Sequence, residues 1–320
     1  MSTLSTKRVP NRTAPTLHPA TRTMSVVQRG STSLTMRRLA RDPASIAAAV
    51  GILLIIVLAL AAPLIAQLTG HGPNEQFRDI GLSPEGLPIA PGATFLLGTD
   101  QLGRDVLVRL AFGARISLVV GVAASLAAAL VGVLVGITAG YFGGRVDTVL
   151  SRVMDLVMSI PFLLAAIALV SVAGPSIALS TAVIVFFTWA PLGRVIRGQT
   201  LALRRREFVE AARSLGAGPL SIIGRDILPN LMVPILIYTT LMVPGAIVFE
   251  ATLSFLGMGV VPPTASWGGM LAEAANNSIY LVAPWLVLIP GMALLIATLA
   301  FNTLGDGLRD ALDPRATRKA

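Results

Sequence analysis

The sequence predicts an all-α, polytopic membrane protein with six transmembrane helices. Of its 320 residues, 54% are hydrophobic and only 13% are charged, whereas about a quarter of a typical soluble domain is charged. The apolar residues collect in six runs, each long enough to cross a hydrocarbon core of about 30 Å as a helix. The chain contains no cysteine, which excludes a disulfide, a thiolate nucleophile and a cysteine-ligated metal.

The chain on either side of the first apolar run is polar or mixed. Residues 1–43 are rich in Ser, Thr, Pro and Arg and lack apolar periodicity, so we predict a disordered basic tail there. The first transmembrane helix is predicted at 44–68, as an uncleaved anchor, because this run exceeds the roughly 7–15 apolar residues of a signal peptide. Residues 69–111 contain several Pro and Gly and are predicted to form an external segment.

Charged residues near the end of this segment allow two interpretations. Asp100, Arg104 and Asp105 could form a metal or substrate site. They could also cap a helix at the membrane interface and form local ion pairs. We favour the second interpretation, because the spacing of the three residues requires nothing more.

Residues 112–304 are predicted to hold the other five transmembrane helices, followed by a short polar tail at 305–320. Proline inside each of the last four runs predicts kinked helices, whose freed backbone groups neighbouring helices or water must satisfy. In the second run, Gly132, Gly136 and Gly140 share one helix face, a spacing that lets two helices approach closely. The five predicted spans are 116–141, 153–172, 177–196, 231–256 and 280–304.

The distribution of basic residues predicts the orientation. With the N-terminus in the cytoplasm, 21 of the 25 Lys and Arg residues fall in cytoplasmic tails and loops, and the other 4 fall in or at the edge of the external segment. This asymmetry follows the positive-inside rule. It places both termini and residues 204–230 in the cytoplasm, and it explains the net charge of +9 without a nucleic-acid partner.

The stretch 207–230 lies between two apolar runs but is too polar to lie in lipid. It predicts two short helices, because Gly216 can end the first in a left-handed conformation and Pro219 suits the first turn of the second. The first helix could dock into a groove on another protein, or it could be a solvated or headgroup-bound loop helix. Its apolar stripe, at helical spacing, consists of Phe208, Ala211, Ala212 and Leu215.

The same stretch resembles the EAA loop of binding-protein-dependent ABC importer permeases. It has EAA, then Gly at the seventh position and Leu-Pro near the twentieth. In that family the loop, at 204–230 here, is the cytoplasmic coupling helix, which sits in a groove on the ATPase subunit. The resemblance implies this role for the motif residues together with Phe208 and Leu215. The matching motif residues are Glu210, Ala211, Ala212, Gly216, Leu228 and Pro229.

Three further stretches narrow the resemblance to the dipeptide/oligopeptide/nickel branch of that family. They are residues 97–118, 254–268 and 299–315, so the resemblance covers about residues 44–315. It implies a type I ABC importer permease core of the "C-type" in a bacterial inner membrane. The implied partners are a homologous "B-type" permease, two ATPase subunits that bind ATP and Mg²⁺, and an external solute-binding protein. The implied solute is a di- or oligopeptide, with nickel or another small solute as the alternative.

Glu250 lies well inside the fifth predicted span and is a functional candidate, because charges at membrane depth are costly. It could contact the substrate or a gate, or it could pair with a polar group on another helix. The chain has no GxxxxGK[ST] phosphate loop and no HExxH. We therefore predict a transport subunit without catalytic, cofactor-binding or metal-binding residues of its own. A secondary transporter is less favoured, because we find no inverted repeat or filter-like run.

Overall fold

In the computed structural model of the protein, which describes residues 39–40 and 42–312, every regular element is helical. A short 3₁₀ segment, Asn276–Leu281, precedes the last helix. The first six helices are α1 (Pro43–Leu60), α2 (Ala62–Thr69), α3 (Arg78–Gly81), α4 (Val106–Phe142), α5 (Gly144–Ser159) and α6 (Phe162–Ala173). The other six are α7 (Ile177–Leu203), α8 (Glu207–Ser214), α9 (Pro219–Ile222), α10 (Leu228–Phe255), α11 (Trp267–Ala275) and α12 (Trp285–Leu312). Residues 1–38 and 41 of the tail predicted at 1–43, and residues 313–320 of the tail predicted at 305–320, lie outside the described residues. Residues 305–312 belong to α12.

The first two long helices begin at aspartate caps. The Asp42 carboxylate accepts a hydrogen bond of 2.9 Å from the backbone N–H of Ser45 and so starts α1. The Asp105 carboxylate accepts bonds from the N–H groups of Leu107 and Val108, at 2.8 and 3.2 Å, and starts α4. Because of this cap, α4 begins ten residues before the predicted span and has 37 residues, a length of about 55 Å.

The third predicted span is not one kinked helix. Helices α5 and α6 meet at an angle of 83°. Ile160 and Pro161 are both extended at the junction, because Pro161 has no N–H to donate and disfavours helical geometry in the residue before it. Helix α6 has 12 residues, or about 18 Å, which is shorter than a membrane core. Within the described residues, five helices are long and apolar enough to cross a membrane, or six if this bent pair counts as one span.

The fifth span also differs from its prediction. The sequence predicts this span at 231–256 and a second short helix, starting at Pro219, in the loop before it. Instead α9 continues through a π-helical turn at Ile223–Ile227 into α10, so that Pro219–Phe255 forms one helix of 37 residues. The polar residues Arg225 and Asp226 interrupt the apolar pattern without interrupting the helix. Helix α10 is therefore continuous with the loop that holds α8.

Side-chain contacts fix how the helices run. Helices α4 and α7 are parallel, since Gly132 packs on Trp189 and Gly140 on Thr200. Helix α10 is antiparallel to α4, since Ile247 packs on Gly121 and its N-terminal part lies near the end of α7. Helix α12 runs beside α1, with Gly307 next to Ser45. The molecule thus has an α8 end, which also holds the start of α1 and the end of α12, and an α11 end, which holds residues 70–105 and 256–284.

The glycine row of α4, which consists of Gly132, Gly136 and Gly140, allows close packing against another helix of the same chain. A Cβ placed on Gly132 would lie 2.7 Å from the carbonyl oxygen of Trp189. On Gly140 it would lie 2.6 Å from the Cβ of Thr200. Real Cβ atoms do not approach that closely, so α4 and α7 are in backbone contact along this row.

We therefore expect Gly136→Ala to destabilise the protein. Its Cβ would lie 2.6 Å from the Gly193 carbonyl oxygen and 2.9 Å from Ile196 Cβ, and overpacking of this kind costs about 1–3 kcal/mol. The matched control is Gly198→Ala in α7, where no atom lies within 4 Å. There the added methyl should be neutral or stabilise the helix by up to about 1 kcal/mol. Thermal unfolding of the two purified variants measures the difference, and equal midpoints would contradict the contact.

Candidate functional site

Three regions carry the candidate functional residues: the α8–α9 loop, the surroundings of Glu250, and a charged cluster at the α11 end. The loop is shaped by local chemistry. Helix α8 has Glu207 and Glu210 in its first turn and Arg213 in its last, which suits the helix dipole. Gly216 then has φ of +84°, a conformation that glycine adopts without strain. Its neighbour Ala217 donates an N–H to the Ala212 carbonyl, 3.0 Å away, which closes the turn.

Helix α8 has a buried and an exposed apolar face. On the buried face, Val209 is 0% exposed and, with half-buried Ala212, packs on a cluster that includes Ile222 and Ile227. The opposite face of α8 is open: Phe208 is exposed, and so is Leu215 directly after the helix, at 88%. Leu220 in α9 is 84% exposed. We call the exposed apolar residues of the two helices the loop surface; it consists of Phe208, Ala211, Leu215 and Leu220.

The structure therefore divides the predicted stripe. Three of its four members face outward, whereas Ala212 faces the body of the protein. Among the other motif residues, Leu228 packs on the same cluster as Ala212, and Glu210, Gly216 and Pro229 are exposed. Glu210 forms no ion pair with any described residue, so its carboxylate is available to another molecule. The roles of these residues stay predictions.

Glu250 belongs to α10, is 0% exposed and packs against α4. Ser117 Oγ of α4 donates to its Oε2 at 2.9 Å, and Ser254 Oγ of α10 donates to its Oε1 at 2.7 Å. Glu250 forms no ion pair with the described residues. The structure shows the pairing with a polar group on another helix, and a role of Glu250 in the pathway or gate stays a prediction.

The charged cluster at the α11 end joins segments distant in sequence. Arg104 Nε donates to Asp100 Oδ2 at 2.6 Å, the local ion pair that the sequence predicts. Its Nη2 donates to Glu273 Oε2 of α11, also at 2.6 Å. Arg109 Nη2 donates to both Glu273 oxygens at 3.0 Å. Arg109 is 1% exposed, so Glu273 neutralises a buried guanidinium and fixes α11 on α4.

The sequence interpretation missed Glu273. The only signal was an acidic residue in a predicted external loop that lacks Lys and Arg, on the same side as the three arginines of segment 69–111. The capping role predicted for Asp105 is confirmed, and this aspartate has a second partner. His71 Nδ1 lies 2.7 Å from Asp105 Oδ2, and the His71 ring packs on Phe77 and Phe95. These contacts hold residues 70–105 as a folded segment over the start of α4.

Comparison with known families gives two matches. Residues 132–318 match the model described as "Binding-protein-dependent transport system inner membrane component". Residues 32–84 match the model described as "N-terminal TM domain of oligopeptide transport permease C". The first match covers more than half of the chain, from the middle of α4 to α12, and includes the whole α8–α9 loop.

Individual proteins are similar over most of the chain. The oligopeptide transport system permease protein OppC of Salmonella typhimurium is 45% identical over 279 residues, which is 87% of this chain and 89% of the relative. OppC of Escherichia coli K12 is 43% identical over the same shares. The di/tripeptide transport system permease protein DppC of Pseudomonas aeruginosa is 39% identical over 269 residues, which is 84% of this chain and 87% of the relative.

The cluster leads to a stability prediction. Glu273→Gln leaves Arg104 and Arg109 with only Asp100 as a counter-charge, so it should lower the thermal unfolding midpoint. Removing one partner of a buried pair costs about 3–5 kcal/mol, and we expect the low end because Glu273 is 21% exposed.

Asp155→Asn is the matched control. Asp155 pairs with Arg152 and Arg194 on an exposed surface, where an ion pair contributes at most about 1 kcal/mol. If the two variants unfold at the same temperature, the Glu273 contacts do not stabilise the α11 end.

Proposed function

This chain belongs to the family of binding-protein-dependent transport system inner membrane components, and from that premise we propose that it is a permease subunit of a peptide-importing ABC transporter. It forms half of the translocation pathway, and a homologous B-type permease forms the other half. Two ATPase subunits bind ATP and Mg²⁺ and hydrolyse the nucleotide. An external solute-binding protein delivers the peptide. The chain itself supplies no catalytic group and transports rather than transforms its substrate.

The loop surface is the observation that carries this proposal. Leu215 and Leu220 are almost fully exposed on a loop that also carries the basic triplet 204–206. Leucines exposed to water do not stabilise a loop, whereas leucines buried in a groove on a partner protein stabilise the complex. Val209 and Ala212 hold the opposite face of α8 on the body, so that a force on this surface reaches the helices. The occupant of the loop surface is an ATPase subunit.

The names of the similar proteins support a peptide as the solute. All three are described as oligopeptide or di/tripeptide permeases. They favour a peptide over nickel, the alternative within the same branch. The solute-binding protein selects among peptides, since it is the component that meets the solute first.

The orientation proposed is that the α8 end faces the cytoplasm of a bacterial cell. The basic residues support it, since the loops and tails assigned to that side carry 21 of 25. The start of α1 and the end of α12 both lie at the α8 end. The two chain termini then share the cytoplasmic side with the ATPase subunits, and residues 70–105 and 256–284 face the solute-binding protein.

The proposed mechanism is alternating access. Closure of the ATPase dimer on ATP moves α8, and the movement enters the membrane through the continuous helix Pro219–Phe255. ATP can shift the permease between inward- and outward-facing states only if the ATPase subunits bind the two states with different free energies. The loop surface is where that difference arises.

Gly216→Val should abolish uptake and leave the membrane helices folded. At φ of +84° a β-branched residue is strongly disfavoured, so α8 would change its angle to α9 and the loop surface would miss its groove. Gly218→Val is the matched control, because Gly218 has φ of −73° and no atom within 4 Å of an added Cβ. The measurement is peptide uptake and ATPase activity of the reconstituted importer. Wild-type values for Gly216→Val would show that this loop does not couple the two subunits.

Labelling in intact cells tests the orientation. Ser214 and Thr264 are both exposed, at the α8 end and the α11 end respectively. Because the chain has no cysteine of its own, a cysteine introduced at either position reports that position alone. A membrane-impermeant maleimide should modify Thr264→Cys in intact cells and Ser214→Cys only after permeabilisation. Modification of Ser214→Cys from outside would reverse the topology.

A further inference from the structure

One face of α4 receives both α10 and α11 through a row of residues spaced by four. Arg109 binds Glu273 of α11, and Gly113 lies under Trp267 and Ser266 at the start of that helix. Ser117 binds Glu250 of α10. The Trp267 indole also donates its N–H to the Leu110 carbonyl at 3.1 Å. The loop between α10 and α11, residues 256–266, is therefore bounded on both sides by contacts to the same helix.

Within this arrangement the Ser254 hydroxyl forms two hydrogen bonds, one to Glu250 in its own helix and one to the 256–266 loop. It donates to Glu250 and accepts the backbone N–H of Val260 at 3.1 Å. A Cβ on Gly259 would lie 2.1 Å from the same oxygen, so the 256–266 loop folds back tightly on this serine. The chain of contacts runs from Ser117 in α4 through Glu250 and Ser254 of α10 to the loop.

Burial makes this chain of contacts energetically important. Glu250 is completely buried, and Ser117 and Ser254 are nearly so. A buried polar group that loses its partner keeps the cost of its desolvation. The carboxyl group therefore holds both hydroxyls in place, and the 256–266 loop is held through one of them.

Glu250 lies on the helix that connects the α8 end of the molecule to the 256–266 loop. Pro219–Phe255 is one helix, so Glu250 is connected by an uninterrupted backbone to the loop surface at the opposite end of the molecule. Beyond Phe255 the helix ends, and Gly257 with φ of +75° begins the 256–266 loop. A pocket of about 290 Å³ lies beside this loop, lined in part by Ser254, Thr264 and Glu273.

We propose that Glu250 is a positioning residue for transport: it passes the movement of α10 through Ser254 to the 256–266 loop, which opens and closes the external end of the pathway. The inference rests on the proposed function for the direction of the movement. Glu250 does not contact the peptide in this account. It acts through the loop, whose exposed residues and pocket meet the solute or its binding protein.

The test uses the complete reconstituted importer and variants that remove one hydroxyl each. Ser254→Ala removes the hydroxyl that joins Glu250 to Val260 of the loop, and Ser117→Ala removes the hydrogen bond from α4 to Glu250. The matched control is Ser125→Ala, which removes an equally buried hydroxyl of α4 that bonds only to the Gly121 carbonyl of its own helix. We expect Ser254→Ala to lower peptide uptake at least fivefold and to lower the stimulation of ATPase activity by loaded binding protein. Ser125→Ala should match the wild type.

A second readout separates positioning from folding. Val261 is exposed in the loop, and a cysteine there should react with a maleimide at different rates in the nucleotide-free and the ATP-vanadate-trapped importer. Ser254→Ala should remove that difference while the amount of assembled complex stays at the wild-type level. Glu250→Gln, which offers one acceptor and one donor to the two hydroxyls, should keep the difference, and Glu250→Leu should lose it.

The possible outcomes are distinct. Wild-type coupling and wild-type reaction rates in Ser254→Ala would overturn the inference. Loss of assembled complex in Ser254→Ala and Glu250→Leu alike would also overturn it, because Glu250 would then serve folding alone. If the importer with the native sequence shows no ATP-dependent peptide uptake, the proposed function itself fails, whatever the variants do.

Discussion

Backbone contact along α4 is the constraint on which the rest of the structure depends. Small or polar residues recur every three or four positions from Arg109 to Gly140 and leave no room for a larger side chain at most of them. Such a row winds slowly around a helix instead of running parallel to its axis. Its first half therefore meets α10 and α11, and its second half meets α7. One helix thus fixes the places of three others.

The arrangement explains how a polar loop can act on helices in the membrane. The loop that carries α8 connects α7 to the helix that begins at Pro219, and both of these pack on α4. Helix α8 is itself fastened by Val209, which is completely buried in the cluster between α4, α7 and the π turn. A partner that grips the exposed leucines therefore moves a connected unit. If α8 were tied only at its ends, the same force would be absorbed by the loop.

Much of this architecture could be predicted from the sequence, because it depends on local patterns. Apolar run length gives the spans, glycine spacing gives the close helix pair, and Gly216 and Pro219 give the turn after α8. Other features depend on distant contacts. The 83° bend at Ile160–Pro161 was expected only as a kink, since a proline permits a bend but packing sets its angle. Glu273 lies 164 residues from Arg109, and no local rule joins them.

The candidate site shows the same division. Helical spacing placed four apolar residues in one stripe, but it could not show that the body of the protein covers Ala212 and leaves Leu215 open. The fifth span is predicted to begin at 231, whereas the helix begins at Pro219, because Arg225 and Asp226 interrupt an apolar pattern without breaking backbone hydrogen bonding. That continuity matters most for function, since it joins α9 and the segment that carries Glu250 in one helix.

Rigidity of Pro219–Phe255 is the central claim, and one distance tests it most directly. Spin labels at Ser221 and Phe255 mark the start and the end of this helix. In the assembled importer, pulsed electron resonance gives their separation without nucleotide and with trapped ATP. The account predicts that it stays the same within about 2 Å, as for elements that move together. A change of about one helical turn, roughly 5.4 Å or more, would show that the helix yields and does not transmit the movement.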